Sequence, residues 1–277
     1  MNRTCNTKCA ICKGFTLVEL LVVIAIIALL MSILMPALGR VRRQAQAVIC
    51  QSQLHAWGLA FQMFADDNNG YFPASQKNNE DYWIVALLPY VGAEKNLPSE
   101  ARGIFFCPSA SKSKNIGYSI NHYGSTFSAW GPFPMTETIW YDAGAMGSYG
   151  FNDWCANPPS ELYWTMPGKY SFRTPNVSRR KDVPVLMDAQ YCDGFPMSAN
   201  IPPPYPDVYD NWYSNAMQIF CIDRHGGGIN GVFIDWSVRK IGLKELWRLK
   251  WHKAFDTAEP APNWATEARW MRKYKDY

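Results

Sequence analysis

From Leu20 to Met31 the chain carries no polar side chain, and from Phe15 to Leu38 only Thr16, Glu19 and Ser32 interrupt the apolar run. A helix rises about 1.5 Å per residue and needs roughly 20 such residues to cross the hydrocarbon of a bilayer, so residues 15–38 are long enough to span one. No other segment is. Beyond Leu38 polar residues enter but the helical period continues: Leu38, Val41, Ala45, Val48, Ser52, Ala56, Leu59 and Met63 recur among Arg and Gln. Asp66-Asp67-Asn68-Asn69-Gly70 is a strong stop. The pattern predicts one helix from Phe15 to about Ala65, on the order of 75 Å long. Its second half is expected to turn the 38–63 stripe toward a head.

Past residue 66 the pattern breaks into short runs separated by Gly, Pro, Asn and Ser, which crowd the stretch from Asn68 to Asn230. It predicts a short helix at Asp81–Tyr90 and strands near Gly103–Phe106 and Val183–Met187. A strand pair is expected at Asn230–Asp235 and Trp236–Ile241, followed by a helix at Leu243–Phe255. Asp256–Tyr277 contains Glu259-Pro260-Ala261-Pro262 and reads as a linker and loosely packed tail. The fold class is therefore α+β: a long N-terminal helix (15–66) packed on a loop-rich antiparallel β head (67–255), with a C-terminal tail (256–277).

Composition narrows the function classes. Lys and Arg number 27 against 23 Asp and Glu, scattered except at Arg40–Arg43, Arg179–Lys181 and the C-terminal end, so no nucleic-acid partner is expected. The 12 Trp and 15 Tyr can supply the core of an irregular head or, if exposed, stack on sugars.

Glu19 is the residue that needs explaining. A carboxylate beside an apolar span is costly, and a plain signal anchor has no use for one. A secretory signal peptide would end in an A-x-A-like site, which Ser32-Ile33-Leu34-Met35-Pro36-Ala37 does not supply. Basic residues do not set the orientation either: Arg3, Lys8 and Lys13 precede the run, and Arg40, Arg42 and Arg43 follow it.

Lys13-Gly14-Phe15-Thr16-Leu17-Val18-Glu19, directly abutting the apolar run, closely resembles the class III signal of type IV prepilins and pseudopilins. The resemblance implies cleavage between Gly14 and Phe15 by a prepilin peptidase and N-methylation of Phe15, leaving residues 1–14 as a leader. It also implies pairing of Glu19 with the terminal amine of a neighbouring subunit, which would offset the buried charge. Pro36 falls where many pilins carry a helix-kinking proline. The implied placement is a single-pass inner-membrane protein, N-terminus cytoplasmic, head periplasmic or at the cell surface.

The head is similar to a large pilin-like group known for a His-x9-Asp-Gly motif. The matching stretches are Phe106-Cys107-Pro108-Ser109, Gly147–Asn152, Leu186-Met187-Asp188-Ala189 and His225-Gly226-Gly227-Gly228. Nine residues separate His225 from Asp235, but Trp236 stands where the Gly should follow, and Trp resists positive φ. The hairpin is therefore expected to turn differently or to begin later. His225, with Asp235 and with Asp188 or Asp223, is read as capping a Gly-rich loop and hydrogen-bonding a carboxylate at a strand end rather than as a catalytic or metal-binding pair. No cofactor and no metal are expected.

Cys5, Cys9 and Cys12 have the C-x3-C-x2-C spacing of a radical-SAM cluster, but they precede a membrane span inside the implied leader, and no β/α barrel surrounds them. Without the leader, Cys50, Cys107, Cys155, Cys192 and Cys221 remain, an odd number. Cys50 and Cys107 are the candidate disulfide, which would tie head to stalk. No nucleophile–base pair stands out, so an enzyme is not expected. The expected role is a pseudopilin-type subunit of a type II secretion pseudopilus or related type IV filament. Its expected partners are the prepilin peptidase, other pilin or pseudopilin subunits, secretion-system inner-membrane components and the membrane. The alternative is a surface-displayed adhesive protein on a pilin-type anchor.

Overall fold

The computed structural model describes residues 16–74, 82–92, 103–113, 123–131, 146–159, 162–163, 166–207, 215–259, 262–264 and 266–277. The chain divides into two compact units, Met1–Arg43 and Gln44–Tyr277. The leader, with Gly14 and Phe15, lies outside the described residues.

In the first unit the described residues are helical from Leu17, the start of α1 (Leu17–Asp67), and all are exposed. Thr16 caps the helix. α1 runs through Pro36, which has no N–H to give the Ser32 carbonyl. This part of α1 is apolar and long enough to cross a membrane.

In the second unit the remainder of α1 lies on a five-stranded sheet of order β5-β1-β4-β6-β7. Its strands are β1 (Tyr149–Asn152), β4 (Pro184–Asp188), β5 (Asp193–Gly194), β6 (Gly228–Phe233) and β7 (Val238–Gly242); β2 (Leu162–Tyr163) and β3 (Met166–Pro167) form a separate pair. Neighbours pair antiparallel except β1 and β5, which run parallel, so the head sheet is mixed. α2 (Trp83–Leu87) continues into a 3₁₀ turn at Leu88–Val91, which together overlap the helix expected at 81–90 and run one residue past it.

The helix face that packs is not the expected one. Cys50, Leu54, Trp57, Phe61 and Ala65 are buried, whereas Val48, Leu59 and Met63 stay exposed. Both stripes have helical spacing, but the buried one carries Trp57 and Phe61, whose large apolar area gains most from leaving water. Phe61 stacks on Phe151 of β1 at 5.3 Å, and Trp57 meets Phe105 edge-on at 5.2 Å. At Gly58 a Cβ would stand 2.9 Å from Val232 Cγ2, so glycine here lets the helix lie directly on β6.

Other expectations are corrected. Gly103–Phe105 is a 3₁₀ turn rather than a strand, because its carbonyls face α1: Gln53 Nε2 donates to Gly103 and the Trp57 indole to Ile104 at 2.8 Å. The helix expected at 243–255 ends at Arg248 as a 3₁₀ helix. There Leu249 turns extended, Lys250 N–H donates to the Asp182 carbonyl, and the Trp251 indole folds back on Leu246. The tail is docked rather than loose: Ala268 and Met271 are buried, Trp270 donates to the Pro203 carbonyl, and Lys244 pairs with Asp276 at 2.7 Å.

The β6–β7 hairpin does carry its strain on Trp236. The Phe233 carbonyl accepts from Trp236 N–H at 2.8 Å, and Phe233 N–H donates to the Ser237 carbonyl at 3.0 Å. This is a three-residue loop, Ile234-Asp235-Trp236, whose last position wants a left-handed residue. The hairpin thus turns differently from a two-residue Asp-Gly turn, as expected, yet Trp236 still takes a left-handed position at φ 66°. Its ring packs edge-on to Phe72 at 6.3 Å.

Candidate functional site

Two places in the chain concentrate chemistry. The first is the start of α1. Thr16 N–H and its hydroxyl both donate to Glu19 Oε2, at 2.8 and 2.7 Å, while Glu19 N–H donates to Thr16 Oγ1 at 3.3 Å. This reciprocal capping box satisfies two orphan N–H groups of the first turn. Glu19 is exposed here and free to meet a further cation.

The second lies in the head, between α1 and the sheet. Cys50 comes from α1, Cys107 from the loop after the Gly103–Phe105 turn, Asp188 from the end of β4 and His225 from the loop before β6. Their ligand atoms lie within 4.8 Å of one another. The loop is held by Gly226 and Gly227, both at positive φ, which glycine alone adopts freely. It closes with His225 N–H on the Gly228 carbonyl at 2.9 Å.

Asp188 is the hub. His225 Nε2 stands 3.1 Å from Oδ2, Asn230 N–H donates to Oδ2 at 2.8 Å, and Arg224 Nη1 reaches Oδ1 at 3.1 Å. Burial alone would raise the Asp188 pKa, but the His225 hydrogen bond and the Arg224 charge overcome it and hold the carboxyl at about 2. Burial likewise opposes the charged imidazole, yet the contacts with Asp188 and Cys107 raise His225 above its usual range. Cys107 Sγ lies 3.4 Å from His225 Nε2. Despite its burial, the hydrogen bonds from Cys50 and His225 pull its thiol down. Cys50, more deeply buried, is pushed well up, and Tyr149 Oη donates to its sulfur at 3.5 Å.

The prokaryotic N-terminal methylation motif matches residues 10–35, the stretch that contains Gly14, Phe15 and Glu19. The chain is type IV pilin-like. Over 59 residues it is 44% identical to the type IV wide pilus major component PilA4 of Thermus thermophilus, a match covering 21% of this chain and 45% of that protein. The pilin-like chain thus spans under half the length of this relative. No solved structure matches it.

The sequence-derived residues fare differently in the head. Cys50 and Cys107, expected as a disulfide, are brought together, but as free thiols, each engaged with another group. Cys155 and Cys221 are buried free thiols as well. His225 does meet a carboxylate at a strand end, and it is Asp188. Asp235 lies beyond the opposite end of β6, exposed, where it accepts from Ser237 N–H at 3.0 Å and shapes the turn. Asp223 accepts from Gly227 N–H and from Tyr274 Oη. None of the described tryptophans is exposed, although Tyr71, Phe127, Tyr205 and Tyr277 are. Arg224, beside His225 in sequence, was not singled out by any pattern, although it donates to four carbonyls and to Asp188.

Proposed function

We propose that this chain is a structural subunit of a type IV filament, a pseudopilus or a related pilus, built from the class III signal and α1. In this reading a prepilin peptidase cuts after Gly14 and methylates Phe15. α1 then holds the subunit in the inner membrane until assembly, with the head on the far side. In the filament, Glu19 meets the Phe15 amine of a neighbouring copy. The observation that carries the reading is the methylation motif over residues 10–35, running into an exposed apolar helix whose first turn holds a carboxylate. A buried carboxylate is tolerable with a cationic partner and costly without one. The role is structural rather than enzymatic.

Mass spectrometry of the chain recovered from membranes tests the processing. An N-terminus at N-methylated Phe15 is expected, and Gly14→Trp should leave the precursor uncut. A mature N-terminus beyond Pro36 would defeat the proposal.

A further inference from the structure

Zinc prefers four ligands on a tetrahedron, with sulfur at about 2.3 Å and nitrogen or oxygen at about 2.0–2.2 Å, which sets ligand atoms roughly 3.4–3.8 Å apart. The ligand atoms of the buried quartet in the head all lie within 4.8 Å of one another, and three of its residue pairs lie close to this spacing. Cys107 Sγ to His225 Nε2 is 3.4 Å, and Cys50 Sγ to each Asp188 oxygen is 3.6 Å. His225 Nε2 to Asp188 Oδ2, at 3.1 Å, is slightly tighter, as a direct hydrogen bond would be. We propose that Cys50, Cys107, Asp188 and His225 form a structural zinc site that staples α1 to the sheet of the head.

The donor set suits the ion. Two sulfurs and an imidazole nitrogen select zinc over the hard, oxygen-seeking cations. The charges also close: two thiolates and Asp188 contribute three negative charges, the ion and Arg224 three positive. Binding would release the thiol protons and leave His225 neutral, coordinating through Nε2.

Outer partners are in place. Arg224 and the Asn230 N–H hold the Asp188 carboxylate, and Tyr149 Oη donates to Cys50 Sγ. Ser148 Oγ accepts from Cys107 N–H and anchors the backbone of that ligand. Such second contacts fix the orientation of metal ligands. All four ligand residues lie on different segments of one unit, so an ion would cross-link the fold much as a disulfide does. A Cys50–Cys107 bridge would account for two of the four converging groups. The ion accounts for all four.

The test uses the full-length chain, exported with its peptidase and purified in detergent without chelator. Elemental mass spectrometry should find one zinc per chain, and intact mass should show Cys50 and Cys107 unbridged. Both thiols should resist alkylation until a strong chelator is added, and replacement by Co²⁺ should give the visible bands of a tetrahedral thiolate site. His225→Gln and Cys107→Ser should lose the metal, while Cys155→Ser, which alters a buried thiol outside the quartet, should keep it. If the ligand variants fail to fold, the wild-type stoichiometry and cobalt spectrum decide alone. A Cys50–Cys107 disulfide by peptide mapping, free thiols with no bound metal, or zinc retained equally in both ligand variants would each overturn the proposal.

Discussion

Arg224 Nη1 stands 3.1 Å from Asp188 Oδ1, with neither side chain exposed to solvent. The guanidinium also donates to the carbonyls of Ser125, Thr126, Ser148 and Ala189, so one side chain ties three loop segments to the end of β4. Breaking a buried pair by removing one partner commonly costs about 3–5 kcal/mol, because the other charge is left uncompensated. Arg224→Met should therefore destabilise the head by that order. Arg224→Lys should rescue little, since an ammonium cannot fork to five acceptors. In a denaturant-unfolding cycle, Arg224→Met with Asp188→Asn should cost clearly less than the two single changes added together. Additive costs would show that the pair does not act as a unit.

His252 supplies a pH test. Its ring is packed among Trp154, Tyr170 and Phe255, and neither nitrogen has a partner among the described residues. Burial, helped by the Lys250 charge, pushes its pKa down to about 4. The unfolded imidazole titrates near 6.5. Above that pH both states are neutral and nothing is lost. As pH falls from about 6.5 toward 4, only the unfolded state gains the proton, so stability drops. Asp193, raised by burial to about 6, acts in the opposite sense over part of this window. The difference between wild type and His252→Phe therefore isolates the effect. It should move in favour of the variant on acidification, and a constant difference would contradict the assignment.

Trp236 offers a backbone test. The left-handed region costs a non-glycine residue about 1–2 kcal/mol. Trp236→Ala and Trp236→Gly remove the same ring contact with Phe72, but only Gly relieves φ. The Gly variant should be the more stable by up to about 1 kcal/mol in chemical denaturation, even after the entropy glycine loses on folding. An Ala variant as stable as Gly would show that the turn carries no strain.

What was legible in the sequence was what local pattern encodes. The apolar run, the class III signal and the 66–70 stop are contiguous, and α1 follows them. The β6–β7 pair was expected in the right place, although β6 lies two residues earlier and β7 starts two residues later than expected because Asp235 and Trp236 belong to the turn. Two helical stripes competed on α1, and period alone could not rank them; side-chain size could have. The quartet in the head was not legible as a unit. Cys50, Cys107, Asp188 and His225 are dozens of residues apart, without the short ligand spacings that betray a metal site, and only the sheet order brings them together. Thr16-x-x-Glu19 has the sequence spacing of a capping box, and that local partner is the one Glu19 takes in the first turn of α1.

That local role sharpens the test of filament assembly. Glu19→Gln keeps the capping box, because Gln at this position can still accept from the Thr16 N–H. It removes only the charge. The measurement is the incorporation of Glu19→Gln subunits into sheared or crosslinked filaments, in cells where cleavage and membrane level are verified as normal. A filament subunit that needs its carboxylate for the neighbouring Phe15 amine should be processed and inserted but largely absent from filaments. Incorporation equal to the native chain would contradict the intersubunit pairing and leave Glu19 as a helix cap alone.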